Sequence, residues 1–276
     1  MDMRSVLHIA RQELTVNIRN KWTIIFAIIF GLLVVSIAYV GMMVEGFSGM
    51  QSFTRTSASI LNLVLYIVPL VALTMGTLSF TGDRGAAELL YSQPVSRTEV
   101  LLGKLIGVFL SLAISTLLGF VLSGGIIFLQ TGSQGIVSYG LFVALTLGLS
   151  LTFLSLAALV SVASGRKSKA FGLSLFVWFF FVLFYDLLTL GGTLLFRGRP
   201  ANTFLFVSLF GNPVDMVRVA SLIILDDVTI FGASGAALLR FLGGSTLGVV
   251  LLVGGLTAWI ILPLRISRRV LERQDI

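Results

Sequence analysis

The chain of 276 residues has no cysteine, which excludes disulfide staples, thiolate metal sites and a cysteine nucleophile. It has one histidine, His8, so imidazole chemistry is almost absent as well. Charge is scarce: Asp, Glu, Lys and Arg make up 11% of the residues, against about 25% in an ordinary soluble domain. With 57% hydrophobic residues and a mean hydropathy of +1.04, a soluble globular fold is excluded. The net charge of +7 points first to nucleic acid, but in so apolar a chain basic residues are loop charge facing the cytosol, and no nucleic-acid partner is expected.

Several catalytic signatures are missing. Gly165-Arg166-Lys167-Ser168 approaches a phosphate-binding loop but lacks the second glycine before the lysine. There is no HExxH zinc motif, no GxSxG nucleophile elbow and no pair of carboxylates within one apolar run. The expectation is a membrane protein that is not an enzyme, with no catalytic residue, no metal site and no cofactor of its own.

What is present is a series of long charge-free runs. A bilayer core of about 30 Å takes roughly 20 apolar residues as helix. Trp22 to Val44 and Thr56 to Gly82 each supply one span. The run between Lys104 and Arg166 is too long for one helix and is interrupted by Gln130-Thr131-Gly132-Ser133-Gln134-Gly135, a turn, so it supplies two. A fifth span starts at Ala170 and fades near Gly191-Gly192, and a sixth runs from about Phe241 to Leu264. The predicted fold is all-α: six transmembrane helices in a single domain over 1–276, with both ends on one side. The first span is too long for the apolar region of a signal peptide, so the small residues Ser36 and Ala38 are not expected to mark a cleavage site.

Basic residues orient the chain. Arg4, Arg11, Arg19, Lys21, Arg84, Arg97, Lys104, Arg166, Lys167, Lys169, Arg265, Arg268, Arg269 and Arg273 fall on the side of the termini. The opposite side holds only Arg55, Arg197, Arg199, Arg218 and Arg240, so the termini are expected in the cytoplasm. Within 1–21, Met3, Leu7, Ala10, Leu14 and Ile18 recur at helical spacing while Arg4, His8, Arg11, Thr15 and Arg19 take another face. This predicts an amphipathic helix lying against anionic membrane lipid. In 191–240, Ala201 to Phe210 and Val219 to Leu225 are apolar but too short to span, and Gly211-Asn212-Pro213 separates them, which predicts re-entrant half-helices.

Asp186 is the one acid placed inside a span; it reads either as an interfacial anchor beside Tyr185 or as a pathway residue. Phe176 and Phe180, in a phenylalanine-rich fifth span, read either as lipid-facing packing or as an apolar constriction. Gly103/Gly107 and Gly244/Gly248 have the spacing that permits close helix approach. Asp215, Asp226 and Asp227 face the periplasm on this topology, as contacts for a partner or as plain surface acids.

The loop over 81–104 is the most informative segment. Ala86 to Leu90 reads as a short helix, Pro94 ends it, and Ser96 caps the next helix with Glu99 at its third position. The string Asp83-Arg84-Gly85-Ala86-Ala87-Glu88-Leu89-Leu90, followed by Pro94-Val95-Ser96-Arg97 and Gly103-Lys104, resembles the permease subunits of ABC-2 type transporters. The resemblance implies that this loop couples to a cytoplasmic ABC ATPase dimer through Asp83, Arg84, Glu88, Leu89, Leu90, Pro94 and Arg97. It also implies that ATP is bound on that partner subunit, that a second copy of the chain completes a homodimer lined by spans two and five, and that the assembly sits in the bacterial inner membrane. A generic exporter of lipid or drug-like molecules fits the same pattern. An ion-coupled secondary transporter is the rival class, disfavoured by the near absence of ionisable residues at mid-membrane.

Phe53 to Leu63, Val68-Pro69-Leu70, and Gly211-Asn212-Pro213-Val214-Asp215-Met216-Val217-Arg218 are similar to a narrower subfamily, the permeases serving maturation of the copper enzyme nitrous-oxide reductase. That similarity implies a periplasmic β-helical accessory protein as a further partner, and a copper or a sulfur species as cargo. Copper(I) asks for soft ligands. The methionines Met42, Met43, Met50, Met75 and Met216 are the candidates, but methionine is also a routine gap-filler, so a sulfur species or another small solute is the preferred expectation.

Overall fold

The computed structural model describes residues 2–44, 50–81, 96–132, 135–195, 199–225 and 232–273. The described residues are helical almost throughout and contain no strand. The helices are α1 (Met3–Ile18), α2 (Lys21–Val44), α3 (Met50–Phe80), α4 (Arg97–Thr131) and α5 (Ile136–Ser164). Then α6 (Lys167–Phe179) runs through a π-helical turn, Phe180–Phe184, into α7 (Tyr185–Leu195). Beyond it come α8 (Arg199–Ser208), a 3-10 turn (Leu209–Gly211), α9 (Pro213–Ile224), α10 (Gly232–Leu242) and α11 (Ser245–Arg273). Six of these segments are long and apolar enough to cross a membrane: α2, α3, α4, α5, the continuous α6–α7, and α11. An even number of crossings brings the two described termini to one end of the bundle, the terminal end; α8 to α10 lie at the other, the distal end.

Helix α5 forms the centre, with α3, α4, α11 and α9 packed around it. Small residues set the closest approaches, as they must where lipid removes most of the hydrophobic drive between helices. Gly31 of α2 faces Gly119 of α4, and Gly76 of α3 faces Ala157 of α5. Edge-to-face contacts of Phe120 with Phe30, Phe142 and Tyr139 join α2, α4 and α5. The Tyr139 hydroxyl is 2.8 Å from Ser123 Oγ and donates to the Phe120 carbonyl at 3.1 Å, so this half-buried phenol is satisfied. The fifth span sits at the edge beside α3, held by the Thr77–Ser174 hydroxyl pair at 2.6 Å and by Trp178 Nε1 donating to the Tyr66 carbonyl at 2.9 Å.

Several boundaries differ from the sequence expectation for local reasons. The third span is not one of these: it starts at Arg97, as the Ser96/Glu99 capping box predicts. The fifth does not fade at Gly191-Gly192: the helix continues to Leu195, and Gly192 instead leaves room for the Phe204 ring of α8. The sixth begins at Ser245, since Gly243 (φ 80°) and Gly244 (φ 113°) take backbone conformations that end α10. It also runs past Leu264 to Arg273. Gly244 is therefore a corner residue, and Gly244/Gly248 is not a helix-packing pair. The Gln130–Gly135 turn is present, with Gly132 (φ 66°) closing α4 and Gly135 (φ 84°) opening α5.

Candidate functional site

At the terminal end, the site is the base of the loop between α3 and α4. Asp83, Arg84, Glu88, Leu89, Leu90 and Pro94 lie outside the described residues, whereas the anchors on both sides of them are described. On the α3 side, Ser79 Oγ donates to the Glu13 carboxylate of α1, and the Ser79 carbonyl accepts from Lys104 Nζ of α4 at 2.7 Å. On the α4 side, the Ser96 N–H donates to Glu99 Oε2 at 3.0 Å, and the Glu99 N–H donates back to Ser96 Oγ at 3.3 Å. The other Glu99 oxygen accepts from the Asp2 N–H at 2.5 Å. Arg97 Nη1 donates to the Leu271 carbonyl of α11 at 2.7 Å, so it braces the end of the sixth span.

Helix α1 reaches this base because α4 offers it two glycines. A Cβ on Gly103 would lie 2.7 Å from Ile9 Cβ, and one on Gly107 would lie 2.6 Å from the Ala10 carbonyl oxygen and 2.6 Å from Glu13 Cβ. The pair that reads as a span-to-span motif thus receives the N-terminal helix. Val6, Ala10 and Asn17 are buried on that side, while Met3, Leu7, Val16 and Ile18 remain exposed and Arg4 and Arg11 stay in water. Ala10, expected on the lipid face, belongs to the protein-facing stripe.

Midway along the fifth span, the π-helical turn and the segment that folds back after that span form one unit. A π turn widens the hydrogen-bond register and leaves main-chain carbonyls open to other donors. Phe179 and Phe184, five residues apart, stack at 6.5 Å in that register. The Phe181 carbonyl is taken by Asn212 Nδ2 at 2.9 Å. Asn212 also caps α9, accepting from the Val214 N–H at 3.0 Å, with Pro213 at the first helical position where its missing N–H costs nothing. So α9 starts six residues earlier than the expected second half-helix, and it turns back on the preceding segment by 110°. Tyr185 donates to the Ser208 carbonyl at 2.7 Å; Gly211 lies against its hydroxyl, where a Cβ would overlap. Trp259 of α11 donates to the Phe210 carbonyl at 3.0 Å.

One turn into α9, Asp215 and Arg218 project to the same side. Arg218 Nη1 lies 2.6 Å from Asp215 Oδ1 and 3.4 Å from Asp186 Oδ2 of α7. Asp215 Oδ2 accepts from Asn212 at 2.8 Å. These three ions line a cavity of about 380 Å³ whose remaining wall is mostly apolar, formed by Leu205, Phe206, Leu209, Val219 and Leu238. Asp186 and Asp215, separate candidates in the sequence, share one arginine, and Arg218 was missed as a site residue. The cue was available: an Asn-Pro start puts Asp215 and Arg218 three residues apart on the first turns of a helix.

The remaining candidates are dispersed. Phe176 and Phe180 stack at 6.4 Å on the outward side of the fifth span, with Phe176 exposed. Met75 is buried against α2, its sulfur 3.8 Å from Thr23 Oγ1, one turn from Ser79 at the terminal end. Met216 is buried, its sulfur facing Gly255 of α11. The side chains of Met42, Met43 and Met50, and the residues Asp226 and Asp227, lie outside the described residues.

Six apolar crossings define a multi-pass membrane protein. Residues 7–276 match the family model described as "ABC-2 family transporter protein", and the chain belongs to that family as a permease subunit. It is 34% identical over 266 residues to the "Probable ABC transporter permease protein NosY" of Stutzerimonas stutzeri, covering 94% of this chain and 93% of that one. It is 35% identical over 226 residues to the protein of the same description in Pseudomonas aeruginosa, covering 80% and 82%.

Proposed function

We propose that two copies of this chain form the membrane path of an inner-membrane ABC transporter, powered by a separate cytoplasmic ATPase dimer that docks on the loop over 82–95. The observation that carries this reading is the base of that loop. Its two ends are tied to α1 through Glu13 and Asp2 and to the end of the sixth span through Arg97. A push on the loop is thereby delivered to α1, α3, α4 and α11 together rather than lost in one flexible turn. Both termini are cytoplasmic on this reading, and α1 floats its exposed Met3, Leu7 and Ile18 in the lipid interface. The fifth span supplies the homodimer contact: only 11% of its most apolar window is buried, against 67% for α5, so one side of it awaits a partner.

The cargo is a sulfur species serving periplasmic nitrous-oxide reductase, in line with the likeness to NosY permeases and the arrangement of the methionines. Met75 and Met216 are each committed to packing, Met75 beside Thr23 of α2 and Met216 against Gly255 of α11, a poor ladder for copper(I). Asp215 is turned onto Arg218, which leaves Asp226 and Asp227 to meet a periplasmic β-helical partner. The test replaces Met42, Met43, Met50 and Met75 together by Leu, a near volume-conserving change, and measures copper and sulfide in the recipient enzyme. Unchanged copper is expected. Loss of copper with the transporter correctly assembled overturns the cargo assignment, and a recipient that matures fully without this chain favours an exporter of lipid or drug-like molecules.

A further inference from the structure

The distal cavity is bordered by an ion pair between α7, none of whose residues is buried, and α9, most of whose residues are. Asp186 belongs to the fifth span and Arg218 to α9, and the cavity lies between them. On the π-turn side the same two elements are bolted together by uncharged hydrogen bonds, Asn212 to the Phe181 carbonyl and Tyr185 to the Ser208 carbonyl. On the cavity side the link between them is the charge pair. Of the two carboxylates, Asp215 holds Arg218 from within α9 at 2.6 Å, whereas Asp186 reaches it across the gap at the looser 3.4 Å and is 42% exposed. Arg218 is therefore shared unequally between a partner that moves with it and one that does not.

We infer that Asp186–Arg218 is the latch of a distal gate: α9 is fixed in the core, the pair holds the exposed α7 against it at rest, and its opening lets α7 swing away about the Asn212–Phe181 bolt to admit water to the cavity. Asp215 opposes the latch, because every gain in its hold on Arg218 is a loss to Asp186. This assigns opposite effects to two carboxylates around one guanidinium, which a merely structural salt-bridge cluster would not show. The driving of the gate by ATP rests on the transport reading above; the existence of the latch does not.

The cysteine-free chain permits a direct test. Val219→Cys places a thiol on the cavity wall, and its rate of modification by a membrane-impermeant, charged thiol reagent applied from the distal side reports opening. In the resting complex, Asp186→Asn is expected to raise that rate about fivefold, the upper range for a partly exposed ion pair. Asp215→Asn is expected to leave it unchanged or lower it, since Arg218 then turns fully to Asp186, and Asp186→Glu, which keeps the charge, should hold the slow rate. An equal rise in both Asn variants, or none in Asp186→Asn, overturns the latch. If Asp186→Asn does not accumulate in the membrane, salt gives a second reading in the Val219→Cys chain alone: going from low to high ionic strength should speed modification by screening the pair, and a flat response overturns the proposal. ATP added to the assembled complex should speed modification further. Failure of that arm alone counts against ATP-driven transport and leaves the resting latch intact.

Discussion

Gly107→Ala probes the joint that is assigned the transmission of force. The new Cβ would stand 2.6 Å from the Ala10 carbonyl oxygen and 2.6 Å from Glu13 Cβ, about 1 Å inside an ordinary contact of ~3.5–4.0 Å. The Ala10 contact is backbone, so relief requires α1 to move as a body, stretching the Glu13–Ser79 and Asp2–Glu99 bonds at the loop base. Overpacking of this kind costs about 1–3 kcal/mol. Replacing a helical glycine by alanine also stabilises by about 1 kcal/mol, which calls for a matched control. Gly125→Ala, in the same helix, meets open space and receives the propensity gain alone. The difference between the two variants isolates the clash, and at about 2–4 °C per kcal/mol for a chain of this order the melting temperatures should separate by roughly 2–12 °C. Both are read on detergent-purified protein. Trypsin cleavage at Arg11 and Arg19 localises the effect: faster cutting is expected only in Gly107→Ala. Equal melting temperatures together with equal cleavage would refute the close docking of α1 on α4.

Three further outcomes follow from the distal and loop-base geometry. Asn212→Ala removes the cap of α9 and leaves the Phe181 carbonyl without its donor, which should cost about 2–4 kcal/mol in thermal stability; Asn212→Asp, which keeps the cap and loses the donor, should cost less. Gly211→Ala should be destabilising because its Cβ overlaps the Tyr185 hydroxyl, and Tyr185→Phe should recover part of that loss, so a double-mutant cycle that proves additive contradicts the contact. Ser96→Ala should cost about 1 kcal/mol in thermal stability by breaking the capping box at the start of α4.

The six crossings and the capped start of α4 were legible because each follows from a local rule: charge-free length for the spans, Ser-x-x-Glu for the cap. The turn at Gln130–Gly135 was legible for the same reason, since glycine is the residue that adopts positive φ without strain. The π turn was not, because the extra residue leaves no compositional mark among Phe180 to Phe184. The convergence of Asp186 with Asp215 and Arg218 joins residues 32 and 29 positions apart through the 110° bend at Asn212, and no periodicity carries across such a bend. Gly211-Asn212-Pro213 was read as a breaker, whereas Asn212 and Pro213 start the next helix. For Gly103/Gly107, spacing revealed that something approaches closely but not that the visitor is α1, because small-residue pairs specify a distance and not a partner.

The central claim is that this permease is worked by a separate ATPase through the loop over 82–95, and affinity purification of the tagged chain from its native membrane tests it most directly. The account predicts that a soluble ATP-hydrolysing subunit is recovered with the chain in equal amount, and that Glu88→Arg or deletion of residues 86–90 releases it while the permease stays folded in the membrane. Recovery of the ATPase undiminished by the deletion, or purification of a transport-competent chain with no ATPase at all, would contradict it.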